Sequence, residues 1–237
     1  MRPILTILLL ALTLNACGPM RQMQQVASQL PMIGSVGKHQ SQLFKKEFQK
    51  MGEPTLVSPI AVSVQSVPFT SNMLGKYSKN REKQGLEPLA MERDTTKNTM
   101  PKYFKMTITD VIRLVEQLNQ SDNAPLKKYL KEDSDLVLLS QISFVAQVEV
   151  SEKIEATDRF FLTTDRDGTL SLVFESGTIL NMADLEVFDF ETANFCWNKD
   201  NKGQLQIAHI LMDGKTSPGD TAANPKKLDR TPDYLKL

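Results

Sequence analysis

The first strong signal in the pattern of apolar and polar positions is an apolar stretch from Ile4 to Leu14, behind the single basic residue Arg2. At about 1.5 Å per residue these eleven residues reach roughly half way across a ~30 Å hydrocarbon core, too short for a transmembrane helix. They have the proportions of a signal peptide instead. Met20, Met23, Ala27 and Leu30 then recur at spacings of three and four, the mark of one helical face lying in a Gln- and Met-rich tether. Residues 38–51 predict a surface helix with Phe44, Phe48 and Met51 inward, stopped at Gly52 and Pro54. From 53 to 100 the chain is punctuated by Pro54, Pro59, Pro68 and Pro88, and only TLVSPIAVSVQSV alternates like a strand. Residues 71–100 are charged and poor in large apolar side chains, which predicts a long exposed loop.

The folded core is expected over 101–212. KYFKMTITD predicts a strand, and Thr109 or Asp110 caps a helix with Val111, Leu114, Val115 and Leu118 on one face. A second helix starts at Pro125, with Asn123 or Asp122 as its cap and Leu126, Tyr129 and Leu130 inward, so the two form an αα-hairpin. Residues 135–150 predict one long central strand with Ile142, Phe144, Ala146, Val148 and Val150 on one face. RFFLTT, TLSLVFE, TILNM, LEVFDFETANFCW and QLQIAHILM follow as a strand meander, separated by turns such as Asp165-Arg166-Asp167-Gly168 and Asp200-Asn201-Lys202-Gly203. The fold class is therefore α+β: an antiparallel β-meander sheet packed with an αα-hairpin and a further N-terminal helix, between polar tails. Residues 213–237 are polar and turn-rich, and predict a disordered tail.

Charge and cysteine content narrow the setting. Basic and acidic residues balance at 28 each, and loss of residues 1–16 removes Arg2 and no acid, leaving a formal charge of −1. That balance, with no basic run, excludes non-specific nucleic-acid binding and a polybasic membrane patch. The chain holds two cysteines, Cys17 and Cys196. A cut after Ala16 puts Leu14 at the −3 position, where ordinary signal-peptide cleavage wants a small residue. Leu14-Asn15-Ala16-Cys17 resembles the lipobox of bacterial lipoproteins, although Asn15 departs from the usual small or β-branched residue. The resemblance implies that residues 1–16 are a signal peptide and that Cys17 becomes the mature N-terminus, carrying a diacylglyceryl thioether and an N-acyl chain. Two or more chains, at about 0.8 kcal/mol per buried CH₂, make membrane residence long-lived. Gly18 stands where aspartate signals inner-membrane retention in enteric bacteria, which favours the outer membrane. With Cys17 lipidated, Cys196 has no intrachain partner, so stability must come from an apolar core.

Four features carry candidate chemistry. Asp165-Arg166-Asp167-Gly168 has the alternating carboxylates of a calcium loop, but aligned on that glycine the first and twelfth ligand positions fall on Thr163 and Phe174, so a plain hairpin turn is expected. Ser35-Val36-Gly37-Lys38, Ser121-Asp122-Asn123 and Lys215-Thr216-Ser217 resemble, in order, the S-x-x-K, S-D-N and K-T-G motifs of penicillin-binding proteins and serine β-lactamases. That resemblance implies an envelope acyl-enzyme with Ser35 as nucleophile and Lys38 handling its proton. The context departs from it: Ser35 follows a proline-bounded tether, and Lys215 leads into a polar tail. His39 and His209 are the only histidines and lack metal-ligand spacing, so no metal or cofactor is expected. His209 alternates with apolar residues on a strand and predicts a half-buried sheet residue, while Cys196, between Phe195 and Trp197, predicts a small buried hydrophobe. Phe188, Phe190, Phe195 and Trp197 interleave with carboxylates on one strand, which makes Phe188, Phe190 and Trp197 a candidate binding patch.

The sequence thus predicts a lipid-anchored cell-envelope protein: a non-enzymatic binding or scaffolding module held at the membrane through Cys17, facing an envelope protein partner. The acyl-enzyme built on Ser35 and Lys38 is the alternative.

Overall fold

A computed structural model describes residues 32–42, 45–87, 101–212 and 216–228, with the backbone alone between 40 and 46. The signal stretch, Cys17, the tether before residue 32, segment 88–100, Lys215 and the last residues of the tail lie outside the described residues.

Strand alternation dominates because the sheet needs one apolar face along each strand, and ten strands answer that pattern. In chain order they are β1 (Val36–Gln42), β2 (Lys45–Gly52), β3 (Ile60–Pro68), β4 (Lys102–Ile108), β5 (Leu136–Ala146), β6 (Phe160–Thr164), β7 (Leu170–Phe174), β8 (Ile179–Leu180), β9 (Leu185–Lys199) and β10 (Leu205–Leu211). Among the described residues four helices accompany them: α1 (Ser71–Lys83), α2 (Val111–Leu118), α3 (Ala124–Glu132) and α4 (Val148–Glu155). The protein is α+β, with an antiparallel, curled sheet. Eight strands run in the order β10-β9-β5-β4-β3-β6-β7-β8, and the β1–β2 hairpin joins this sheet by pairing β1 with β5. Strand β5 is the hub. Its C-terminal half pairs β4, its first residues pair β1, and its other edge pairs β9 along most of its length.

The main core draws Val62, Phe104, Met106, Ile142 and Phe144 from the central strands, with Leu114, Leu118 and Leu130 from the αα-hairpin. Ile33, Val36, Leu56 and Ile60 belong to the same core, so the folded unit reaches well ahead of residue 101. Loops β6–β7 and β9–β10 close as expected. Gly168 and Gly203 adopt φ values of 84° and 77°, the left-handed geometry such turns require.

Five expectations are corrected by the fold. The predicted helix over 38–51 is the β1–β2 hairpin: Phe48 packs inward, Met51 is 58% exposed, and Phe44 lies outside the described residues. Close strand pairing explains Gly37, because a Cβ there would run into the Gln49 carbonyl and the Phe48 ring. Residues 71–83 of the predicted loop are helix α1, started by Thr70, whose hydroxyl accepts from the Met73 amide. Its periodicity is weak because Tyr77 is its sole buried residue. The central strand stops at Ala146, and Val148, 69% exposed, begins α4. Tyr129 points outward on α3, 64% exposed. The described part of the tail is folded: Ala222 exchanges both backbone hydrogen bonds with Trp197, and Pro225 is buried in a short 3-10 turn.

Candidate functional site

Sheet register decides which polar side chains meet. Strands β3, β4, β5 and β9 are consecutive neighbours, and residues of one parity enter the main core. Residues of the other parity line up in cross-strand rows. Ser63, Thr107, Gln141 and Glu191 form one row, and Gln65, Lys105, Ser143 and Asp189 form the next. Six of these eight side chains, all but Ser143 and Asp189, line a groove of about 390 Å³ together with Ser140, Thr109, Val111 and Met212. One apolar and one polar face is the ordinary pattern of an antiparallel sheet, so what marks this face is that some of its polar side chains are buried, Gln141 at 7% and Ser143 at 3% exposed.

The floor is held by its own hydrogen bonds. Thr107 donates its hydroxyl to Gln141 Oε1 at 3.1 Å, and the Ser140 hydroxyl donates to the Glu191 carbonyl at 3.2 Å. Lys105 and Glu191 make no ion pair among the described residues. Asp189 is engaged: Lys76 Nζ of α1 lies 2.6 Å from Oδ2.

Beyond Asp189 the same face becomes aromatic. Val67 pairs with Tyr103, and Phe69, Tyr77, Tyr103 and Phe188 form a second cluster beneath α1, with ring centroids 4.9–5.7 Å apart. Helix α1 is clamped to β9 by Arg81 on Glu186 at 2.8 Å, Tyr77 donating to Glu186 at 3.0 Å, and Asn80 donating to the Val187 carbonyl. Burial pushes the Tyr77 hydroxyl above its usual pKa, Arg81 opposes and Glu186 adds to the rise. Tyr103 is likewise raised, by burial first and then by the negative field of Asp189.

The sequence-predicted residues fall in separate places. Phe188 belongs to the cluster under α1. Phe190 packs on the main core, edge-on to His39 at 5.9 Å and Phe48 at 6.1 Å. Trp197 is 1% exposed, beside the C-terminal segment. The three therefore form no common patch: the bulge in the β5–β9 pairing between Ser143 and Phe144 turns Phe188 away from the face of Phe190, and Trp197 is buried within the main core. Ser35 is fully buried and donates to Glu53 Oε1 at 3.2 Å, whereas Lys38 pairs with Asp133 at 2.7 Å. That pairing lowers the Asp133 carboxyl and raises the Lys38 ammonium from their ordinary values. Thr216 and Ser217 line a cavity of about 250 Å³ with Trp197, Phe195 and Leu130, and its lining does not include Ser35 or Lys38.

Asn123, the third residue of the S-D-N match, is a structural clamp. Its amide accepts from the Thr55 N–H at 2.8 Å and donates to the Thr55 and Gln117 carbonyls at 2.8 and 3.0 Å. Gln117 holds both backbone groups of Ser58 in the same way, and Asn119 holds both of Ile207. The Asp165–Gly168 segment is a hairpin turn in which Asp167 accepts from the amide and hydroxyl of Thr169. Among the described residues no group of three potential metal-ligating side chains converges. Cys196 is fully buried, with Sγ 2.9 Å from the Thr221 hydroxyl. His209, expected half-buried, is exposed, because a bulge between Ile207 and His209 turns it outward.

Lys105, Gln141, Ser143 and Glu191 escaped sequence reading. Their signal is present as polar residues at alternate positions inside KYFKMTI and LSQISFV, and for Glu191 as one of the carboxylates interleaved in LEVFDFETANFCW. Only the register between strands turns that parity into one floor. Compared with known proteins, the chain matches no family model, no curated protein and no solved structure.

Proposed function

We propose that this protein is a lipid-anchored, non-enzymatic binding module of the cell envelope, held to the outer membrane through Cys17, with the groove over β5 as its ligand site. The observation supporting the ligand site is the double row of polar side chains on the central strands, with Lys105 and Glu191 left without ion partners among the described residues. Concave sites with a few convergent polar groups are where small molecules bind, and 390 Å³ lies within the range for such sites. Hydrogen bonds within the floor fix the side chains before a ligand arrives, which lowers the entropic cost of binding. The lipobox-like Leu14-Asn15-Ala16-Cys17 supports the anchor.

Two measurements test this reading. A thermal-shift screen of water-soluble small molecules against the detergent-solubilised full chain is expected to give stabilising hits that vanish in Gln65→Trp, a substitution of an exposed lining residue that fills the groove. Hits that survive Gln65→Trp, or a screen without hits, remove the ligand site. For the anchor, mass spectrometry of the mature N-terminal peptide is expected to show acylated Cys17, and a retained residue 1–16 segment or an unmodified Cys17 overturns it.

A further inference from the structure

The two charges left open in the groove have opposite sign and do not neutralise each other. Lys105 and Glu191 occupy diagonal corners of a rectangle whose sides are the rows Lys105, Ser143, Asp189 and Thr107, Gln141, Glu191. Strands ~4.8 Å apart and same-face residues ~6.8 Å apart along a strand put their Cα atoms about 12 Å apart on the diagonal. That diagonal crosses β5 between Gln141 and Ser143. Gln141 spends its oxygen on the Thr107 hydroxyl, and its NH₂ group has no partner among the described residues. The Ser143 hydroxyl, in a residue 3% exposed, has none either. Asp189, the other acid on this face of the sheet, is already matched by Lys76.

A ligand that completes this site needs a carboxylate at one end, an ammonium at the other and a hydrogen-bonding amide between. Resting on the reading of the groove as a ligand site, we propose that it binds a short zwitterionic peptide of two residues. Its terminal carboxylate meets Lys105 Nζ, its terminal ammonium meets the Glu191 carboxylate, and its peptide carbonyl accepts from the Gln141 amide. The amide between the charges sets the choice. The Gln141 NH₂ needs an acceptor of its own, and a single amino acid whose carboxylate is on Lys105 has no further carbonyl to offer, whereas an extended dipeptide of ~7 Å carries one peptide carbonyl between its two charged ends.

Titration calorimetry on the detergent-solubilised full chain tests the proposal with alanyl-alanine, its N-acetyl derivative, its C-terminal amide and glycine. Alanyl-alanine is expected to saturate below about 1 mM and the other three to bind at least about tenfold more weakly. Lys105→Met is expected to weaken alanyl-alanine and the N-acetyl form by about tenfold while leaving the amide unchanged, since that form lacks the carboxylate. Glu191→Gln is expected to do the reverse, weakening alanyl-alanine and the amide alone. Both side chains stand on the solvent side of the sheet, and unchanged melting temperatures confirm that the variants fold. Equal binding of capped and free dipeptide, variant affinities within twofold of the native chain, or no saturation by alanyl-alanine overturns the proposal. If screen hits of another chemistry still vanish in Gln65→Trp, the groove remains a ligand site and the dipeptide assignment alone falls.

Discussion

Replacing Asn123 with alanine removes three hydrogen bonds at once, two to Thr55 and one to the Gln117 carbonyl. Asn123 is 2% exposed, so water cannot readily replace the lost amide. At a net of about 1 kcal/mol per bond the loss is about 3 kcal/mol, a large share of a typical folding free energy. It acts on the segment that delivers the chain into β3, which Gln117 also grips at Ser58. Urea unfolding followed by the fluorescence of Trp197, the single tryptophan and 1% exposed, reads the effect. With an m-value of about 2–3 kcal/mol/M the midpoint is expected to fall by about 1–1.5 M with unchanged slope. Ser121→Ala and Asp122→Ala, at exposed neighbours without side-chain bonds among the described residues, are expected to cost under about 0.5 kcal/mol. Asn123→Asp keeps the acceptor but sets a carboxylate against two carbonyl oxygens. Its folded pKa must rise, so that variant is expected to regain stability as pH falls through the folded value. A loss below about 1 kcal/mol in Asn123→Ala, or equal losses across all three positions, refutes the clamp.

Other consequences are as direct. Asn119→Ala exposes the outer N–H and C=O of Ile207 on edge strand β10, so self-association at high concentration is expected to increase; an unchanged sedimentation profile counts against an edge-blocking role. Tyr77→Ala empties the aromatic cluster under α1 at a cost of about 3–5 kcal/mol, and hydrogen exchange is expected to lose protection over 71–83 ahead of the main sheet. Simultaneous loss of protection in β5 argues that α1 is not a separable unit. The Lys38–Asp133 pair acts in a defined pH window: Asp133 is lowered, so its contribution is present above the ordinary aspartate value near 3.8 and fades as pH falls below it, while Lys38 is raised, so its contribution fades only above about 10.5. Carboxyl NMR titration is expected to place Asp133 below 3.8, and Lys38→Met to bring it back up; a value at or above 3.8 in the native chain contradicts the pairing.

Much of the architecture follows from local pattern. The β6–β7 and β9–β10 hairpins, strand β4 and the start of α2 at Asp110 rest on alternation, turn glycines and a capping carboxylate within a few residues of one another. The apolar stretch and the lipobox-like residues around Cys17 are likewise a local pattern, and the anchor proposed from them rests on sequence alone. Helix α1 and hairpin β1–β2 are different. The helical reading of 38–51 lost to strand pairing because β5 offers β1 an open edge at residues 136–138, a contact across about a hundred residues that no local window contains. α1 holds through Lys76–Asp189, Arg81–Glu186 and Tyr77 in a remote aromatic cluster, and its own sequence shows none of these.

The groove belongs to that second class. Each strand's alternation determines that Lys105 and Thr107 share a side, and that Gln141 and Ser143 do, but side-chain parity says nothing about which strands become neighbours or in what register. Pairing of β4, β5 and β9, with bulges beside Ser140 and Phe144, sets Lys105 diagonally across from Glu191 and separates Phe188, under α1, from Phe190 and Trp197 in the main core. A one-residue slip in any of those pairings would move each polar row to the opposite face, so the site exists only once long-range hydrogen bonding has fixed the register.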